Sequence, residues 1–269
     1  MCICMSQKDT QTRAKDEDKV MDNTSYVALS RQQALWNNLE VVANNLANVD
    51  TTGFKGTDTL FAQYIQKVDN NDRTFKDKVA FTHDFGLVRN LAHGGLNYTN
   101  NPFDLAIQGD GYFVTDGADG GAERYTRSGS FTLDVDRQLV TQSGRTVQSV
   151  DGGSIAIPPE AENIVIQGDG SILNENNEEI GRIRVVSFDD ERLLTQVDGA
   201  SFLTVPGQAP IDMDRPQVAQ GVLENSNVNG IVEMTRLIAL NRAYADVTKL
   251  VQMEHQRKSK AAEVFTRQV

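Results

Sequence analysis

Val42-Ala-Asn-Asn-Leu-Ala-Asn-Val-Asp-Thr-Thr-Gly-Phe-Lys55 ends a segment whose apolar residues recur at helical spacing. Leu35, Leu39, Val42, Leu46 and Val49 fall at steps of 4, 3, 4 and 3, with Leu29, Trp36 and Ala43 beside them. One side of a helix is therefore apolar and must be covered. At the far end Leu237, Leu240, Tyr244, Val247 and Val251 step by 3, 4, 3 and 4, and the frame continues through Glu254, Lys258, Ala261 and Phe265. Ile231, Met234 and Ile238 form a second row upstream. A helix over 228–265 spans roughly 55 Å at 1.5 Å per residue, a length that points to coiled-coil packing.

Composition divides the chain the same way. All six prolines and 18 of the 21 glycines lie between residues 57 and 227, which frees both ends of helix breakers. In the middle, six Asp-Gly pairs at Asp110, Asp116, Asp119, Asp151, Asp169 and Asp198 separate short β-branched or aromatic runs such as Tyr112-Phe-Val-Thr115 and Ile183-Arg-Val-Val-Ser-Phe188. Asp-Gly suits type I′ hairpins. The octad Ile107-Gln-Gly-Asp-Gly-Tyr-Phe-Val114 returns as Ile166-Gln-Gly-Asp-Gly-Ser-Ile-Leu173, which predicts two similar hairpins. The expected fold is α+β, with long N- and C-terminal helices forming a coiled-coil stem and a central antiparallel β domain. Its expected parts are a mobile N-terminal extension (1–21), an N-terminal helix with the Asn-rich motif (22–56), a linker (57–74), the β domain (75–220) and a C-terminal helix (221–269).

The net charge of -11 is uneven. Residues 228–269 carry +3, residues 21–56 carry -1 and the first 20 carry 0, which leaves -13 on the middle. An acidic centre argues against nucleic-acid binding, which needs a basic face. No apolar run reaches the 18 or more residues of a membrane span, and the start lacks the apolar core of a signal peptide. Cys2 and Cys4, with no histidine nearby, make a poor zinc pair in a polar tail.

Catalytic patterns are thin. His83, His93 and His255 are scattered and have no metal partner at helical spacing. Gly109-Asp-Gly111 and Gly168-Asp-Gly170 lack the glycine spacing of phosphate loops and read as turns, and Asp134 and Asp136 read as a solvated hairpin end. No catalytic, cofactor-binding or metal-binding residue is assigned, no cofactor is expected, and the chain is not expected to be an enzyme.

Asn44, Asn45 and Asn48 admit two readings. One is a fraying helix end with Gly53 as a left-handed cap. The other is a set of asparagines flanking an apolar stripe that fix the register of neighbouring helices at some cost in stability. The expected assembly interface comprises Leu35, Leu39, Val42, Asn44, Asn45, Leu46, Asn48, Val49, Gly53, Phe54, Leu237, Leu240, Tyr244, Val247 and Val251.

Asn44-Asn-Leu-Ala-Asn48 followed by Thr52-Gly-Phe-Lys55 resembles the signature of the flagellar basal-body rod and hook protein family. Pro102-Phe-Asp-Leu-Ala-Ile-Gln-Gly-Asp-Gly-Tyr-Phe113, Tyr125-Thr-Arg-Ser-Gly-Ser-Phe131, Gly221-Val-Leu-Glu-Asn-Ser-Asn-Val228 and Glu233-Met234 resemble further segments of that family, in the family's order. About 250 residues after Met21 fit its proximal rod type, with the distal rod type next. The stretch Gln66-Lys-Val-Asp-Asn-Asn-Asp-Arg73, where the distal type is expected to carry a Gly-Val-rich insertion, favours the proximal one.

The resemblance implies a non-catalytic subunit of the periplasm-spanning rod that polymerises through its terminal helices and passes torque. Its implied partners are other flagellar rod subunits, neighbouring copies of itself and the export apparatus, with no nucleic acid, no membrane insertion and no cleaved signal. The helices are expected to be largely mobile before assembly. A glycosidase built on paired carboxylates, or a general coiled-coil adaptor that closes into a small oligomer, are the alternatives from other classes.

Overall fold

The computed structural model describes residues 6–68, 77–117, 121–161 and 163–266, and within them the side chains outside 6–25, 61–85, 261 and 265–266. Cys2 and Cys4 lie outside the described residues, as do the side chain of His83 and part of Gln66–Arg73. Of the stretch 1–21, residues 6–21 fall within the first helix. The chain divides into two compact units, one of residues 1–44, 58–88 and 231–269, the other of 45–57 and 89–230.

The first unit contains helix α1 (Ser6–Ala47), helix α2 (Gly230–Thr266) and a two-stranded sheet of Thr57–Val68 and Asp77–Arg89, the first of these strands lying in the stretch read as a linker. The expected coiled-coil stem is overturned. The described residues hold only two α-helices beside 17 strands, and the contacts between the helices include polar and aromatic ones that interrupt the frame. Gln32 Nε2 donates to Tyr244 Oη at 3.2 Å and to Thr248 Oγ1 at 3.3 Å, and the Trp36 and Tyr244 rings stand 5.9 Å apart. A heptad seam needs an apolar side chain at each 3- or 4-residue step. Here Gln32 falls in the frame of α1, and Glu254 and Lys258 fall in the frame of α2. Along α2 the frame residues Leu237, Leu240, Tyr244 and Val251 are only half-buried, and Val247 alone among them is buried.

The second unit is built on a six-stranded sheet. Its strands run in the order Thr195–Asp198, Ser201–Leu203, Arg124–Thr126, Tyr112–Thr115, Val185–Ser187 and Ile211–Asp212, with antiparallel pairing. Every residue of Tyr112–Thr115 is buried. Because successive side chains point to opposite faces, one buried strand feeds two cores. Phe113 joins Leu105, Phe131, Leu139, Ile172 and Ile183, whereas Tyr112 and Val114 join Tyr125, Phe188, Leu194 and Phe202. Val185 and Val186 divide between the same two clusters. The rings meet edge-on, at 5.2 Å for Phe113 and Phe131 and 4.9 Å for Tyr125 and Phe188. Tyr112 donates to Glu191 Oε2 at 2.9 Å, and burial, then the Glu191 charge, holds its phenol above the usual range. Burial, then the hydrogen bond to Glu123, pushes the Tyr125 phenol up to about 12, so both rings keep their protons near neutrality.

The turns differ from the type I′ expectation. Gly111, Gly152, Gly170 and Gly199 take positive φ, but the aspartates before them do not, and a type I′ turn needs both. The non-glycine positive-φ positions include Arg137 and Asn177. They close two matching loops, in which Asp134 Oδ1 accepts from the main chain of Asp136 and Gln138, and Asn174 Oδ1 accepts from that of Asn176 and Glu178. The repeated octad is a hairpin only once. Val165–Ile166 pairs with Ser171–Leu173, but Leu105–Ile107 pairs with Val218–Gln220 while Tyr112–Thr115 belongs to the six-stranded sheet.

Phe113→Ala removes a ring shared with Leu105 and Phe131 and is expected to cost about 3 to 5 kcal/mol. Val135→Ala, at a position 98% exposed, should stay within about 0.5 kcal/mol. Denaturant midpoints of the two variants measure the difference.

Candidate assembly site

The strip Thr52–Gly56 is held in the second unit by a partner at every residue. Thr52 Oγ1 lies 2.6 Å from Ser128 Oγ. Gly53 has φ +68°, and a Cβ there would stand 2.5 Å from the main chain of Arg127 and Ser128, so no other residue fits without moving backbone. Its N–H donates to the carbonyl of Glu224 at 2.8 Å. Phe54 is fully buried. Gly56 N donates to Asn227 Oδ1 at 2.8 Å, and Asn227 N–H reaches the carbonyl of Phe54. Asn45 completes the strip from the end of α1, with Oδ1 accepting from Thr57 N at 3.0 Å and Nδ2 donating to Thr57 O at 2.9 Å. Gly53 is left-handed as a cap would be, but it stands six residues beyond Ala47, where the helix ends.

Lys55, Arg127 and Glu224, each only 3% exposed, form an ionic node beneath the strip. Lys55 Nζ meets Glu224 Oε1 at 2.8 Å and donates to Ala92 O at 2.9 Å. Arg127 Nε meets Glu224 Oε2 at 2.7 Å. The remaining guanidinium donors go to the carbonyls of Ile107, Gly109 and Gly111, the first octad loop. Gly94 N donates to Glu224 Oε1 and is the third donor to this carboxylate. At the solvent edge His93 Nδ1 stands 3.2 Å from Arg127 Nη2, and Nε2 stands 3.8 Å from Asp110.

Two cations share one carboxylate, and the proton affinities reflect it. Burial alone raises Glu224, but the Arg127 charge and the hydrogen bonds from Lys55 and Arg127 outweigh it and hold the carboxyl below its usual range. Lys55 is pulled below its usual range by burial first and by Arg127 repulsion as well, against the attraction of Glu224. Glu224 is lowered by the two cations it faces, whereas Lys55 is lowered first by its own burial.

Of the residues expected at the interface, Val42, Asn45, Gly53, Phe54 and Val247 are buried within the chain. Leu35, Leu39, Leu46, Asn48, Val49, Leu237, Leu240, Tyr244 and Val251 are half-buried, and Asn44 is exposed. The large apolar side chains that face solvent are neighbours of those frames. They are Tyr26, Leu29 and Trp36 on α1, and Ile231, Val232, Met234, Ile238, Leu250 and Met253 on α2, with Ile231 at 79%. Arg127, Glu224 and Asn227 lie in the family-like segments but have no role legible in the sequence, since only the fold brings residues so far apart in the chain together. Among the described residues no group of three His, Cys, Asp or Glu side chains could hold a metal ion, and no helix is long and apolar enough to cross a membrane.

Three family profiles match the chain in order. They are described as Flagella basal body rod protein (residues 26–55), Flagellar hook protein FlgE/F/G D1 domain (106–174) and Flagellar basal body rod FlgEFG protein C-terminal (219–264). The flagellar basal-body rod protein FlgF of Caulobacter vibrioides is 39% identical over 86% of this chain and 93% of its own. FlgF of Rhizobium meliloti is 34% identical over 91% and 98%, and the rod protein FlgG of Agrobacterium fabrum is 32% identical over 84% and 92%.

Gly53→Ala and Glu224→Gln test the strip and the node separately. The first should free the strip, read as new protease cleavage near residue 53. The second leaves Lys55 and Arg127 short of an anion and should cost about 3 to 5 kcal/mol. Since Glu224 is lowered in the folded state, its contribution is complete above the ordinary glutamate value and fades as pH falls through the lowered one. Melting temperatures against pH should show that acid limb in the parent chain and a smaller one in Glu224→Gln.

Proposed function

The chain belongs to the flagellar basal-body rod protein family, and from that premise we propose that it is a structural subunit of the rod which polymerises with other rod subunits through exposed apolar rows on α1 and α2 and thereby carries torque across the periplasm. The observation that carries the proposal is the row Ile231, Met234 and Ile238, all more than half exposed at helical spacing on a helix whose opposite line is half-buried. Covering each such side chain is worth about 1.5 to 3 kcal/mol, gained at every contact repeated along a polymer. Contacts of head-to-tail type that do not close a ring build a helical tube.

The half-buried frame residues serve the pairing of α1 with α2, and the asparagine motif holds each subunit's own strip in place. We assign the chain to the proximal rod type, supported by the FlgF names of relatives at 33 to 39% identity. Export through the flagellar apparatus without a cleaved signal and ordering of the helices on assembly belong to the same proposal. Trp36, the one tryptophan, reports that ordering because its ring faces Tyr244 and its Nε1 donates to Glu40.

Met234→Asp and Ile238→Asp should block incorporation into basal bodies while leaving the melting temperature of the purified chain unchanged. Light scattering of the parent chain mixed with partner rod proteins should rise without a plateau. A plateau at a small closed oligomer supports the adaptor reading, and incorporation of both variants would overturn this choice of surface.

A further inference from the structure

We propose that Asn229 is a spontaneous deamidation site, maintained because packing disfavours any side chain at the residue after it. Asn229-Gly230 is the single Asn-Gly pair in the 269 residues. It sits where the second unit leads into α2, and Asn229 is exposed to water. The reaction needs the main-chain nitrogen of Gly230 to reach Asn229 Cγ, and glycine presents no Cβ to obstruct that approach. Gly230 opens α2, where the first four N–H groups have no acceptor within the helix, so the attacking nitrogen is not tied into the helical ladder. Two other asparagines of this region are not followed by glycine and are bonded within the chain. Asn45 is buried with both amide atoms bonded to Thr57, and Asn227 is bonded to Gly56, Asn90 and Ala92.

The chemistry balances with water alone. The Gly230 nitrogen forms a bond to Asn229 Cγ, the bond from Cγ to the side-chain nitrogen breaks, and that nitrogen leaves as ammonia with the Gly230 proton. Water then opens the five-membered imide at one of its two carbonyls, to give aspartate or isoaspartate. Packing explains why the glycine is present: a Cβ at residue 230 would lie 3.3 Å from Val49 Cγ2, a contact that requires the valine to give way. The aspartate product keeps the main chain intact and places a negative charge at the positive end of α2. The isoaspartate product inserts a methylene into the main chain immediately before that helix. None of this depends on the rod assignment.

The test incubates the folded full-length chain in mildly alkaline buffer, beside a urea-unfolded sample. A mass gain of about one dalton confined to the peptide containing Asn229, with isoaspartate there by methyltransferase labelling, is the expected result. Asn229→Ser should abolish both signals, and Gly230→Ala should slow them. The proposal is overturned if the folded chain keeps Asn229 intact while the unfolded chain deamidates, or if the gain falls mainly on other asparagines.

Discussion

One buried carboxylate, Glu224, underlies the organisation of the second unit. Its side chain neutralises Lys55 and Arg127, and its own carbonyl receives Gly53 N–H, so a strip near one end of the sequence and a strand near the other are bound at one residue. The ion pairs are not the main source of stability. Taking three charges out of water costs several kcal/mol per ion, and apolar burial of Phe54 beside them supplies the drive for docking. What the node contributes is register. Shifted by one residue, the strip would place Phe54 against a carboxylate and leave two cations unpaired. Arg127 extends the constraint to the first octad, whose carbonyls are spent on the guanidinium.

Much of the architecture was legible in the residues, because it depends on local rules. The six prolines and 18 of the 21 glycines, all in the middle, marked off the two helical ends, and apolar runs such as Tyr112–Thr115 marked strands. The family motifs were legible as well, although their roles were not. Asn45, Gly53 and Phe54 read as part of an assembly interface, and the fold gives each of them contacts within the chain as well. Only the fold brings Lys55 to Glu224, and periodicity carries no information about such pairs. The turn chemistry failed for a related reason. Asp-Gly permits a type I′ turn without requiring it, and the surrounding strands selected turns in which glycine alone takes positive φ.

The stem failed because of what interrupts the frames. A 3- and 4-residue pattern identifies a helix face but not its partner, and Gln32, Glu254 and Lys258 are polar where a continuous seam needs hydrocarbon. A glutamine, a tyrosine and a threonine take part in the contact between the helices, while large apolar side chains on both stay exposed. That shortfall bears on function. A chain whose frames sealed each other completely would have no driving force left for association. Here the row Ile231, Met234 and Ile238 lies opposite the half-buried frame of α2 and is exposed, as are Leu29 and Trp36 on α1. The same imperfection that rules out a stem leaves apolar surface on each subunit, and a polymer of rod subunits is the assembly in which covering it recurs at every step.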